Sequence, residues 1–107
     1  MQNEKPECDT LNDPLISVAA LKQLLNDNED FELVDVRTLE KHQAFNIGGK
    51  HIPTTELPLR HNELDRNKLV VTYCTMGGNS MRALQYLRSI GFTRVKSLDG
   101  GMTAWVA

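Results

Sequence analysis

The sequence predicts an α/β fold, a single domain with a mostly parallel central sheet of about five strands flanked by helices. Three observations lead there. Short β-branched and apolar runs at Phe31 to Val36, Leu69 to Tyr73 and Val95 to Leu98 alternate with helical patterns, the spacing of βα units. The run Leu-Val-Val-Thr-Tyr is continuous rather than alternating, as expected of a strand buried on both faces in mid-sheet. The chain has 107 residues, 40% hydrophobic and 24% charged, which fits one globular core and leaves no room for a second.

Residues 1–13 are polar and read as a flexible tail or linker, with the folded domain over 14–107. Ile16 and Val18 suggest a short edge strand. Ser17 is placed to cap a helix carrying Val18, Leu21, Leu24 and Leu25 on one face, and Asn26 to Asp30 ends it. The strand Phe31 to Val36 is followed by a helical turn over Leu39 to Phe45 and a brief strand at His51-Ile52 that Pro53 stops. Glu56 to Leu64 reads as a short helix. After the strand Leu69 to Tyr73, the best helix runs from Ser80 to Ile90, with Met81, Leu84, Leu87 and Ile90 apolar and Gly91 as its stop. Val95 to Leu98 is the last strand, and Met102 to Val106 forms a closing helical turn with Trp105 as a core plug.

Charge and composition exclude several classes of function. The net charge is -2 and the basic residues are scattered, which argues against a nucleic-acid or anionic-membrane partner. The longest mostly apolar stretch, Leu15 to Leu21, is too short to span a bilayer, and no signal peptide opens the chain. The two cysteines, Cys8 and Cys74, lie in very different surroundings and read as reduced thiols of a cytoplasmic protein. His42, His51 and His61 lack metal-ligand spacing, so neither a metal nor another cofactor is expected. The polar start and abrupt end fit an excised domain.

In open α/β sheets the functional crevice lies beyond the carboxyl ends of the strands. Here the best strand runs into Cys74-Thr75-Met76-Gly77-Gly78-Asn79, and the best helix follows at Ser80. Adjacent glycines let the backbone curl so that successive N–H groups converge as an anion nest, and the helix N-terminus adds positive potential. A thiol there has its pKa pulled down. A cysteine closing a strand is also a good small hydrophobe, and Gly-Gly a good tight turn. The coincidence of thiol, nest and helix start favours a nucleophile. Cys8 reads as an inert tail thiol, with a second relay or resolving cysteine as the alternative.

Around this loop, and over nearly all of residues 15–106, the chain resembles a rhodanese (sulfurtransferase) domain. The resemblance is carried by Asp35-Val36-Arg37, Glu40, Gly49, His51-Ile52-Pro53, Val70 to Cys74, Gly77, Ser80, Gly91-Phe92, Leu98-Asp99-Gly100-Gly101 and Ala104-Trp105. Asn46 to Gly49, Glu56-Leu57-Pro58 and Glu63-Leu64-Asp65 are most similar to the rhodanese domain appended to adenylyltransferases that activate ubiquitin-like sulfur-carrier proteins. The resemblance implies that Cys74 takes a sulfane sulfur from a small donor or a protein persulfide, holds it as a persulfide, and passes it to a nucleophilic acceptor. A sulfur-carrier protein or its adenylyltransferase is the implied partner. Thr75, Met76, Gly77, Gly78, Asn79 and Ser80 would form the substrate-binding loop, with Asp35, Arg37 and Arg82 in support.

One departure stands out. Thiosulfate-using members carry a basic side chain in the loop, where this chain has Thr75 and Asn79. Weak thiosulfate activity is therefore expected, with Arg82 as a partial substitute. The loss of that cation also supports an alternative, a non-catalytic rhodanese-like binding or regulatory module. Phosphatases of similar fold end a longer loop in an arginine that clamps phosphate, and Ser80 occupies that place here.

Overall fold

A computed structural model describes residues 13–107. Cys8 and nearly all of the polar segment expected as a tail lie outside the described residues. Asp13 is already tied to the domain, its side chain accepting from Leu15 N at 2.9 Å and its carbonyl from Lys96 Nζ at 2.6 Å.

The strand with two apolar faces takes the centre of the sheet. The order is β1 (Leu15–Ile16), β5 (Val95–Leu98), β4 (Val70–Tyr73), β2 (Glu32–Asp35), β3 (Lys50–His51). Every pairing is parallel. All four residues of β4 are buried, so its sequence shows no polar alternation.

Strand alternation divides the core into two layers. Val34, Val70 and Val95 face one side, where they pack with Leu57 of α3 (Leu57–Arg60) and with Ala83, Leu84 and Leu87 of α4 (Gly78–Ser89). Leu33, Val71, Tyr73 and Leu98 face the other, against Leu21 of α1 (Val18–Asn26) and Met102 of α5 (Gly101–Trp105). Cys74 continues the β4 alternation into the layer that holds α4. The pleat thus aims the thiol at the helix that follows it.

Several boundaries differ from the sequence expectation, each for a local reason. Ser17 does cap α1, its hydroxyl accepting from Ala20 N at 3.0 Å, but Leu25 remains 36% exposed because Leu21 is the side chain that reaches the sheet. The helix expected over Glu56 to Leu64 divides into α3 and a 3-10 turn at His61–Glu63, which turns the chain so that Leu64 enters the core. The brief strand after Gly49 is Lys50–His51, one residue earlier than expected, with Ile52 N continuing the ladder to Asp35 O at 3.0 Å. The closing helix is likewise one residue early. Trp105 is partly buried rather than a full plug, with the Lys22 ammonium 5.0 Å from its ring centroid.

Most consequential is the start of α4, at Gly78 rather than Ser80. Asn79 and Ser80 therefore belong to the first helical turn, and the connecting loop is only Cys74 to Gly77. Gly77, at φ 112°, occupies the left-handed region that side chains avoid and lets the chain enter the helix within this short span.

Candidate active site

The Cys74 sulfur sits where the end of β4 meets the first turn of α4. It accepts from Gly77 N at 3.0 Å and from Ser80 N at 3.3 Å, and lies 3.4 Å from Ser80 Oγ. The thiol is buried, 3% exposed. Burial alone pushes its pKa up. The Ser80 hydroxyl and the N–H groups of Ser80, Gly77 and Met76 outweigh that burial and leave the pKa below the usual thiol range.

The nest is narrower than the sequence suggested. The Met76, Gly77 and Ser80 N–H groups act on the sulfur, while Thr75 is half-buried and Met76 exposes its side chain at 73%. Gly78 and Asn79 are exposed in the first turn of α4. Ser80 is fully buried, and its hydroxyl meets Ser97 Oγ at 2.6 Å and Gly77 O at 3.2 Å. Below it, Thr72 Oγ1 donates to Ser80 O at 2.9 Å and fixes the first turn of α4 on the sheet. Ser97, on β5 and distant in sequence from the Cys74 loop, was not among the residues expected at the site. Only the β4–β5 register, Thr72 beside Ser97, brings its hydroxyl under the site.

A second helix start holds the loop from outside. Met102 N donates to Cys74 O at 2.8 Å and Thr103 N to Thr75 O at 2.9 Å. Gly101, at φ 59°, permits that approach, since a Cβ there would lie 2.5 Å from Cys74 O and 2.6 Å from Thr75 O. The Gly100-Gly101 pair is thus part of the site's scaffold.

Asp35 and Arg37 form a buried pair one strand over. Arg37 Nη2 donates to Asp35 Oδ2 at 2.8 Å and to Phe45 O at 2.6 Å, while Arg37 N donates to Asp35 Oδ1 at 2.9 Å. His42 Nδ1 joins Asp35 Oδ2 at 2.9 Å. Burial raises the Asp35 pKa, but Arg37 and His42 more than offset it and hold the carboxyl below its ordinary range. The imidazoles of His42 and His51 stack with centroids 4.3 Å apart, and His51 Nε2 contacts Arg37 O at 2.8 Å. These bonds pin α2 (Leu39–Ala44), which buries no side chain of its own, to the carboxyl edge of the sheet. Asp35 and Arg37 bond this helix and its C-terminal end, and neither bonds the sulfur. Among the described residues no group of three or more His, Cys, Asp or Glu is placed to hold a metal ion.

Arg82 bonds Asn79 rather than the thiol. Its guanidinium donates to Asn79 Oδ1 at 3.2 Å, and both line a cavity of about 240 Å³ with Thr54, Leu57, Pro58 and Tyr86. A different cation reaches the loop. Lys41 Nζ, from α2, donates to Thr75 Oγ1 at 3.3 Å. Lys41 was not among the residues expected at the site. A six-residue helix is too short for its faces to be read from sequence.

No helix among the described residues is long and apolar enough to cross a membrane. The family model described as Rhodanese-like domain matches residues 17–107. A protein named sulfurtransferase from Allochromatium vinosum is 38% identical over 91 residues, covering 84% of this chain and 85% of that protein. The Arabidopsis thaliana adenylyltransferase and sulfurtransferase MOCS3 is 32% identical over 109 residues, covering 86% of this chain but 24% of that larger protein. The structure of the human single-domain sulfurtransferase TSTD1 superposes with a TM-score of 0.72 at 29% identity, covering 87% of this chain and 95% of that one.

Proposed function

The chain belongs to the rhodanese-like domain family, and from that premise we propose a sulfurtransferase that carries its sulfur as a persulfide on Cys74. The observation that carries the reading is the sulfur's own environment, a buried thiol whose pKa is lowered by converging N–H groups and one hydroxyl. Such a thiol is a thiolate in a larger fraction of molecules at neutral pH, and the thiolate is the nucleophile.

In the first half-reaction the Cys74 thiolate attacks the outer, sulfane sulfur of the donor. A new S–S bond forms, the donor's own bond to that sulfur breaks, and the leaving group departs with the electron pair. From thiosulfate the leaving group is sulfite. The persulfide anion extends one atom further into the cradle, where the same N–H groups stabilise it. In the second, a nucleophilic acceptor takes the outer sulfur and Cys74 returns as the thiolate. Nothing in either step needs a metal or redox cofactor, because the leaving thiolate or sulfite closes the electron count.

Two features bear on donor and acceptor. Cys74 to Ser80 contain no cationic side chain, so turnover of free thiosulfate is modest and a protein persulfide is the better donor. Arrangements in which a domain of this kind accompanies an adenylyltransferase, as the name of the Arabidopsis relative records, make a sulfur-carrier protein a suitable acceptor. The test is intact mass after incubation with thiosulfate or a low-molecular-weight persulfide, followed by cyanide. One added sulfur atom that cyanide removes as thiocyanate, and that is absent in Cys74→Ser, supports the reading. A chain that takes up no sulfur from either donor overturns it.

A further inference from the structure

Building on the sulfurtransferase reading, we propose that Lys41 supplies, from outside the loop, the cation that selects anionic sulfur donors at the mouth of the Cys74 site.

The placement follows from the sheet. Strands β2 and β4 are parallel neighbours with Asp35 beside Tyr73, so the segments leaving their carboxyl ends emerge side by side. After β4 comes Cys74, and after β2 come Arg37 and α2. The buried bonds from Asp35 to Arg37 and His42 fix the rotation of α2 about its axis. With His42 turned inward, the preceding residue on the helix, Lys41, is carried towards Thr75, whose hydroxyl it reaches at 3.3 Å.

The charge on Lys41 is also available. Lys50 pairs with Glu32, Lys68 with Asp30, and Arg60 with both Glu56 and Glu63. Lys41 forms no ion pair among the described residues, and its one bond is to a neutral hydroxyl. An ammonium has three donors, so that bond leaves capacity for an incoming anion. Arg82, the other cation bonded to a residue near the loop, is held by Asn79 on the side of the α3–α4 cavity.

A dianion such as thiosulfate must approach a thiolate, bringing like charges together. Backbone N–H groups stabilise the thiolate itself, and an ammonium at the rim offsets the charge of the donor as it arrives. Because Lys41 is solvent-exposed, the effect is modest, about fivefold, and falls with added salt. A neutral donor gains nothing from it.

The experiment compares the parent chain with Lys41→Gln, which removes the charge, and Lys41→Arg, which keeps it. The first readout is Cys74 alkylation by iodoacetate, an anion, relative to iodoacetamide, its neutral counterpart. This ratio requires no sulfur transfer. Lys41→Gln should lower it about fivefold at low salt with the iodoacetamide rate unchanged, and Lys41→Arg should restore it. The second readout is covalent sulfur transfer to Cys74, from thiosulfate as the persulfide with loss of sulfite and from a neutral organic trisulfide as the mixed trisulfide with loss of an organic thiolate. Lys41→Gln should raise the KM for thiosulfate and leave the trisulfide rate alone. An unchanged alkylation ratio overturns the proposal. So does an equal fall with both reagents, which would make Lys41 a prop for the loop. If the ratio moves while no variant, nor the parent, takes up sulfur, the anion site stands and the sulfurtransferase reading fails.

Discussion

Replacing Ser80 by Ala tests how the fold activates Cys74. In the thiol form the S–H can donate to Ser80 Oγ across 3.4 Å; in the thiolate form the Ser80 hydroxyl donates instead. Ser97 Oγ, 2.6 Å away, can then donate to Ser80 Oγ, so the two hydroxyls line up behind the charge. A hydrogen bond to a charged group is worth about 1.5–3 kcal/mol. The sulfur contact is long, which places this one near the lower limit. At about 1.4 kcal/mol for each factor of ten, its loss lowers the thiolate-to-thiol ratio roughly tenfold at a fixed pH. The assay is the iodoacetamide rate of Cys74 followed across pH. The titration midpoint should move upward, with the rate about tenfold lower below both midpoints and equal above them. Deleting one hydroxyl also strands Ser97 Oγ in the core, at a cost of about 1–3 kcal/mol in folding stability. The double variant Ser80→Ala with Ser97→Ala removes both partners, so stability recovers while the thiolate defect remains. An unmoved midpoint in both variants would refute the assignment and leave the backbone N–H groups as the sole activators.

Three further outcomes follow from named contacts. Cys74→Ser should fold within about 1 kcal/mol of the parent, measured by denaturant melts, and should acquire no sulfur by intact mass. Gly101→Ala places a Cβ 2.5 Å from Cys74 O at a left-handed φ, so the loop must shift; sulfur uptake should fall by about tenfold or more together with a lower Tm. Asp35→Asn should cost about 3 kcal/mol at neutral pH, because it leaves Arg37 buried without its carboxylate. The Asp35 carboxyl is held below its unfolded value, so its contribution is present above about pH 4 and is lost as pH falls through the folded pKa. Denaturant melts across that range should therefore show a flatter acid limb in Asp35→Asn than in the parent.

Much of this was legible in one dimension. The apolar run ending at Tyr73 marked the central strand, because only a strand covered on both faces can dispense with polar residues. Ser17 marked a helix start because a hydroxyl there satisfies an otherwise unpaired N–H. A cysteine followed by Gly77-Gly78 and a helical pattern marked the candidate nucleophile. What these signals share is locality, each depending on residues within one turn or one strand. The depth of the nest was not legible, since α4 begins at Gly78 and its first turn rests on Thr72 and Ser97 of two neighbouring strands. The contributions of Ser97, Gly101 and Lys41 were decided by tertiary structure alone. Each comes from a different part of the chain and meets Ser80, Cys74 or Thr75 only because β5, α5 and α2 converge at the carboxyl edge of one parallel sheet. Hydrogen bonds and screened charges act over a few ångströms, and neighbours at that distance are set by strand order and register, which no local pattern encodes.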